Sequence, residues 1–270
     1  MYTIKAQTGN VFLAMRDVPA LNQLMLAAQQ EIPLYDFVAE DGIRHCIWVV
    51  DQPQQIEAIT RLFQEQVPCT YIADGHHRAA SAAKVSAALP DSAAARYFLT
   101  TIFPASQLAI LDYNRVIKDL YGQRAADFIT KLETDFTIRP SDSAVRPSQL
   151  HEFGMYLEGK WYVLEAKEGT YDTDPIGVLD ITILTKRILE KLLGITDQRT
   201  DTRIDFVGGI RGLKELERRV DSGEMNLAFS FYPVSIQQLF DISDSGEVMP
   251  PKSTWFEPKL RDGLLTHLIR

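Results

Sequence analysis

Cysteine is scarce in this 270-residue sequence, which has two, Cys46 and Cys69. Two are too few for a disulfide scaffold or a four-ligand zinc site. Both sit in apolar stretches, His45-Cys46-Ile47-Trp48 and Val67-Pro68-Cys69-Thr70, and are expected to be buried, reduced thiols. Long apolar runs are missing as well. Nothing approaches the roughly 18 unbroken apolar residues of a membrane span, so no membrane partner is expected. Residues Met1 to Gln7 lack the basic and apolar regions of a secretion signal, and a cytoplasmic location is the expectation. Positive charge is in short supply: 28 Lys and Arg stand against 36 Asp and Glu, for a net charge of −8. That balance argues against broad nucleic-acid binding, which needs clustered cations, but leaves room for a small basic pocket that holds an anion. Repeats and low-complexity tracts are also missing.

The composition that remains is ordinary for a globular protein, with 46% hydrophobic and 24% charged residues. The length suits one large domain or two small ones. Strands are predicted at 10–15, 34–38, 43–50, 68–73, 96–103 and 109–113, with an Asp41-Gly42 hairpin signal between the second and third. Helical spacing appears over 21–28 and 54–66, and an alanine-rich helix is expected over 76–89. The texture changes near Gly122. A helix at 125–132 leads to the loop-like run 140–148, then to a hairpin over 154–164 turning at Glu158-Gly159. A helix over 181–193 capped by Gly194, a strand at 204–207, a helix at 213–220, a strand at 226–232 and a helix at 235–240 complete the pattern. The resulting expectation is an α/β to α+β fold, a mixed β-sheet with flanking helices. An α/β region over 1–120 and an α+β region over 121–270 packed against it, or one continuous domain, is the expected organisation.

The sharpest chemical feature is Asp74-Gly75-His76-His77-Arg78, after the apolar run Tyr71-Ile72-Ala73. A strand delivers Asp74, Gly75 permits an unusual turn, and a helix starts at once. The first helical turn carries free N–H groups and the positive end of the dipole. Three potential cations there, His76, His77 and Arg78, conflict with that dipole unless an anion compensates. Asp74 supplies part of the compensation, and a bound phosphate or carboxylate would supply the rest. Two plainer readings stand beside this one. Asp74 is then only a helix cap with solvated histidines, or the segment holds a metal, although adjacent histidines do not share a helix face.

A second strand-turn-helix lies at Asp201 to Gly212, where Gly208 and Gly209 would bring backbone close to a phosphate and Arg211 would pair with it. The glycine spacing fits neither a dinucleotide fingerprint nor a Walker loop. The alternative is a tight turn with Arg211 paired to Asp205 or Asp201. A third segment, Met249 to Lys259, offers Lys252 and Ser253 for phosphate, or else a rigid loop that plugs Trp255 and Phe256 into the core. His151, Glu152 and His267 are expected to be structural, and no metal site is assigned.

With these residues in view, the chain resembles the prokaryotic domain-of-unknown-function family 1015, some members of which are labelled ParB-like. The carriers are Ala6-Gln7-Thr8-Gly9 with Val11-Phe12-Leu13, Tyr71 to Arg78, Tyr113-Asn114-Arg115-Val116, Thr200 to Gly212 and Met249 to Leu260. Members of that family usually carry a further stretch, with a His-Glu motif, before the Ala-Gln-Thr-Gly segment. The resemblance therefore implies that this chain is a C-terminal portion or a shortened form. Gly75-His76-His77-Arg78 is also similar to the Gly-x-x-Arg motif of the ParB and sulfiredoxin superfamily, which includes CTP-binding partition proteins, ATP-using sulfiredoxins and free-serine kinases. That similarity implies a ParB/sulfiredoxin-like core. It gives Gly75 and Arg78 the nucleotide phosphates, and Asp74, His76 and His77 the catalytic or orienting work. Sulfiredoxin chemistry is disfavoured, because the motif contains no cysteine here. DNA partition is disfavoured by the acidic charge and by the lack of a recognisable helix-turn-helix. The expected function is a phosphotransferase acting on a small metabolite hydroxyl, with ATP or ADP and Mg²⁺ as cofactors and a nucleotide or phosphorylated metabolite as partner. The alternatives are a non-catalytic nucleotide sensor and, third, a metal-dependent phosphohydrolase.

Overall fold

Five consecutive apolar residues, Val11 to Met15, are buried at every position, as a strand covered on both faces requires. They form the middle strand of a three-stranded sheet in the computed structural model, which describes residues 1–269. The chain divides into two compact units, Met1–Leu108 with Pro258–Arg270, and Ala109–Glu257. The change of texture near Gly122 lies inside the second unit, and the C-terminal segment belongs to the first.

In the first unit the elements are β1 (Ala6–Gln7), β2 (Val11–Met15), α1 (Pro19–Ala28), β3 (Tyr35–Val38), β4 (Arg44–Ile47), α2 (Pro53–Gln66), β5 (Tyr71–Asp74), α3 (His76–Ala88) and β6 (Thr100–Pro104). The sheet runs β5-β2-β6, antiparallel between β2 and β5 and parallel between β2 and β6. Met15, Val18 and Leu21 pack against Ile59, Leu62 and Phe63, so the apolar stripe of α2 closes over the start of α1. Strand β1 pairs antiparallel with His267–Leu268, which brings the C-terminal segment back. Strands β3 and β4 form the hairpin expected at Asp41-Gly42, with Gly42 at φ +79°.

The second unit contains β7 (Ala109–Leu111), β8 (Tyr113–Ile117), α4 (Ala125–Leu132), β9 (Phe136–Ser141), β10 (Glu152–Leu157), β11 (Lys160–Ala166), α5 (Asp180–Leu184) running into a π-helix at 185–190, β12 (Ile204–Gly208), α6 (Leu213–Asp221), β13 (Leu227–Phe231), α7 (Ile236–Asp244) and β14 (Trp255–Glu257). Six strands form one antiparallel sheet in the order β12-β8-β13-β10-β11-β9. Alternation along the strands sorts the side chains into two cores. Ile117, Phe153, Met155 and Leu157 join Phe128, Leu132, Leu184 and Ile188 in one core. Val116, Tyr156 and Trp161 join Leu216 and Val220 of α6 in the other. Mixed sheets flanked by seven α-helices make this an α+β protein among the described residues. No helix among them is long and apolar enough to cross a membrane.

Four local expectations need correction. The run 96–103 is a strand only from Thr100; Ala94–Arg96 is a 3₁₀ turn, with Tyr97 and Phe98 exposed. The Gln7 side chain explains the late start, because it binds both the N–H and the carbonyl of Leu99. The run 140–148 begins inside β9, where Pro140 is tolerated because β9 is an edge strand. The helix expected over 181–193 becomes a π-helix midway. The thiols are not buried: Cys69 is exposed in the segment between α2 and β5, and Cys46 is half-buried on the largely exposed β3–β4 hairpin, where its Sγ donates to Asp36.

Candidate functional site

Strand β5 ends at Asp74, and α3 begins two residues later. Gly75 between them is in the left-handed region at φ +94° and ψ +25°, a conformation costly for any residue with a Cβ. Gly75, not Asp74, is the helix cap, and among the described residues no side chain caps α3. Asp74 instead accepts the Gly75 N–H at 2.8 Å and stands 3.8 Å from the Arg78 guanidinium. The reading of Asp74 as a cap for the first turn is therefore not what the fold adopts.

Arg78 folds back over the start of its own helix. A methyl group at Gly75 would lie 3.0 Å from Arg78 Nε and Nη2, and one at Gly9 would lie 3.4 Å from Arg78 Cδ. Two glycines thus make room for this one side chain. Among the described residues, the buried Arg78 Nε has no hydrogen-bond partner. A cleft of about 280 Å³ opens beside it, lined by Gln7, Thr8, Gly9, His77, Arg78 and Ser81 among others. Gln7 is 3% exposed and ties this loop down by donating to the carbonyls of Gly9 and Leu99. The segment 258–270 adds support, as Gly263 N–H donates to the Thr8 carbonyl and Asp262 Oδ1 sits 3.1 Å from where a Gly9 side chain would begin. His77 lines the cleft, whereas His76 is exposed outside its lining.

The other expected site residues lie in the second unit. Gly208 and Gly209 are explained by packing inside that unit. A methyl group at Gly208 would come within 2.4 Å of the Trp255 ring, and one at Gly209 within 2.3 Å of Asp112. The close approach they permit is already taken by the chain itself. Arg211 is exposed, and the two carboxylates of the alternative reading are paired with other residues, Asp201 with Arg203 and Asp205 with Arg219. Lys252 has φ +58° and its ammonium lies 5.6 Å from the Tyr113 ring centre. Ser253 is buried and donates to the Pro250 carbonyl at 2.7 Å. Phe256 is buried and Trp255 meets Tyr113 edge-on, so this segment follows the plugged-loop alternative. His151 and His267 are structural, with ring nitrogens on the carbonyls of Val178 and Ala94.

Sequence reasoning did not assign Gln7, Thr8, Gly9 and Ser81 to the site. The available signal was a Gln-Thr-Gly run directly before an apolar strand, which is where a buried polar side chain fastens a loop. Among the described residues, no group of three or more His, Cys, Asp or Glu could hold a metal ion.

No curated protein sequence matches the chain. Solved structures similar to it include a conserved hypothetical protein from Pyrococcus furiosus, at 15% identity and TM-score 0.43, covering 96% of this chain and 81% of that one. A mutant free serine kinase in complex with AMP is similar at 12% identity and TM-score 0.44, covering 92% and 89%. SbnI with a C-terminal truncation, from Staphylococcus aureus, is similar at 10% identity and TM-score 0.42, covering 99% and 89%. A family described as a protein of unknown function (DUF1015) matches residues 1–182, two thirds of the sequence, and the chain belongs to that family.

Proposed function

We propose that the α3 cleft binds the phosphates of a nucleotide or phosphorylated metabolite, and that the protein transfers a phosphoryl group to the hydroxyl of a small metabolite. One observation carries this reading: the Arg78 guanidinium, folded over Gly75 with Nε unpartnered, borders a cleft at the start of a 13-residue helix. The first N–H groups of that helix have no intrahelical acceptor, and with the guanidinium they suit a phosphate. The contact of Arg78 with Asp74 is long and exposed, and such pairs contribute little, so an arriving phosphate displaces it at small cost. The similarity of Gly75-His76-His77-Arg78 to a phosphate-holding Gly-x-x-Arg motif supports the same assignment.

Phosphoryl transfer asks mostly for positioning and charge neutralisation. Arg78 and the helix start neutralise charge, and His77, which lines the cleft, takes the proton of the acceptor hydroxyl. A Mg²⁺ ion would arrive on the nucleotide phosphates, since such sites use one or two carboxylates and the phosphates themselves, and Asp74, beside Arg78, and Asp262, beside Gly9, are nearby carboxylates. It would supply further neutralisation of phosphate charge.

The test is calorimetry with ATP and ADP, with and without Mg²⁺, on the protein and on Arg78→Ala. Losing a charge-assisted hydrogen bond should weaken binding by about 1.5–3 kcal/mol, roughly ten- to a hundredfold, with the circular dichroism spectrum unchanged. Equal affinity in the variant overturns the site. Turnover of the bound nucleotide with hydroxyl acceptors then separates a transferase from a sensor.

A further inference from the structure

We infer that the second unit binds a single chloride ion, in the small cavity that Arg115 and Asp180 line together with Tyr113, Phe231, Tyr232 and Val234. All of these residues belong to that unit. The cavity measures about 10 Å³, and a water-sized species needs roughly 10–15 Å³. Carboxylates, phosphates and sulfate are therefore too large, and water or a monatomic ion is left. Tyr232, 36% exposed, forms the solvent side of the cavity and gives an ion its way in.

Charge decides between water and an anion. Arg115 is 1% exposed, and the rings of Phe206, Phe231 and Tyr113 pack around its guanidinium at 4.9, 5.4 and 5.9 Å. Its hydrogen bonds go to the Tyr113 carbonyl, to Gln198 Oε1 at 3.4 Å and to the Pro251 carbonyl at 3.5 Å. The last two are at the limit of useful length, and N–H groups of the guanidinium fork are left over. Among the described residues no carboxylate is in ion-pair contact with it. A buried cation without a counter-charge is costly, and a neutral water supplies none. Burial pushes the guanidinium down to about 9, so it keeps its charge at neutral pH.

Asp180 brings a second donor to the same cavity. It is 5% exposed, its Oδ1 accepts the His151 N–H at 2.8 Å, and among the described residues Oδ2 has no partner. Burial pushes its carboxyl up to about 7, so below that pH it carries a proton, and Oδ2 is the oxygen free to hold it. A chloride accepts from the Oδ2 hydroxyl and from the guanidinium, and its charge balances Arg115. Above about pH 7 the ionised Asp180 takes over as the negative charge and repels the halide. Chloride binding is thereby coupled to the uptake of a proton. The other titratable or charged groups nearby bring no negative charge at neutral pH. Tyr113 has the Lys252 ammonium 5.6 Å from its ring, Tyr232 is at the mouth, and a His151 ring nitrogen lies on the Val178 carbonyl with the ring stacked on Tyr171.

The experiment replaces sodium gluconate by sodium chloride at constant ionic strength, on the whole protein, at pH 5 and pH 8. Chlorine NMR linewidths report bound chloride directly, and thermal melts report its effect on stability. At pH 5 chloride should broaden saturably and raise Tm, bromide should displace it, and sulfate should not. At pH 8 the affinity should be weaker by about tenfold, since a group titrating near 7 is then mostly ionised. Asp180→Asn keeps the acceptor for His151 and a donor for the halide, and should bind chloride equally at both pH values. Arg115→Gln should abolish the broadening, while circular dichroism reports whether it folds. No saturable broadening at pH 5, displacement by sulfate, or an Asp180→Asn variant that keeps the wild-type pH dependence overturns the inference. Arg78→Ala should retain the chloride signal in full, and its loss there would place the ion in the α3 cleft instead.

Discussion

Asp180 and Arg115 line one small cavity, yet each takes its hydrogen bonds elsewhere: Asp180 Oδ1 accepts the His151 N–H at 2.8 Å, and Oδ2 is without a partner among the described residues. Burial raises the Asp180 carboxyl from its ordinary range to about 7. The folded state therefore holds a proton that the unfolded chain releases above about pH 4. By linkage, this group's contribution is fully present below about pH 4 and declines as pH rises, until it is lost above about 7. Asp180→Asn keeps the acceptor for His151 and removes the ionisation. Thermal melts should show a larger rise in Tm for this variant at pH 8 than at pH 5, and equal increments at both would refute the assignment. Cβ space settles the roles of other single residues. Gly75 yields its space to Arg78, while Gly208 and Gly209 yield theirs to Trp255 and Asp112. Glycine in a strand-turn-helix reads alike in both motifs, so the sequence could not tell the one that makes room for Arg78 from those that make room for Trp255 and Asp112.

At the scale of elements, caps and breakers decide how helices begin and end. Helix α7 has a complete capping box, with Ser235 Oγ accepting the Gln238 N–H at 3.1 Å and the Gln238 side chain accepting the Ser235 N–H at 3.0 Å. Ser235→Ala should cost about 1 kcal/mol, read as a lower urea midpoint at unchanged slope. Helix α3 has no such cap, which leaves its first turn open to an external acceptor. Most helices and the two hairpins were legible because period and turn chemistry are local. The π-helix was not, since its register answers to packing around Ile188 and Leu189 and to nothing in the spacing. Likewise β14 was read as part of a loop: three residues make too short a run to signal a strand until Ile110 and its neighbours pair with them.

At the scale of the whole molecule, the chain order and the compact units do not coincide. Residues 109–257 form a contiguous unit with two cores on either side of their sheet, while the first unit is completed by the C-terminal segment. Ala6 pairs with Leu268, Ile269 donates to the Lys5 carbonyl and is buried with Val85 and Ala95, and Gly263 donates to Thr8. Removing residues 258–270 should therefore loosen β1 and the Gln7-Thr8-Gly9 loop. Hydrogen exchange should rise in residues 5–10 and in α3 with residues 152–157 unaffected, and nucleotide affinity should fall. Unchanged protection of residues 5–10 would show that the segment is dispensable.

The sequence by itself determined the α+β class, the strand-glycine-helix at Tyr71 to Ala88 and the candidacy of Arg78, because alternation, turn residues and helix-end chemistry act over a few residues. Tertiary structure alone decided that Gln7, Thr8 and Gly9 wall the cleft beside Arg78, that the Cβ space of Gly208 and Gly209 is filled from within, and that Arg115 is a buried charge with no carboxylate in ion-pair contact among the described residues. Those outcomes depend on which distant segments pair and what the pairing buries. Local period carries no information about either.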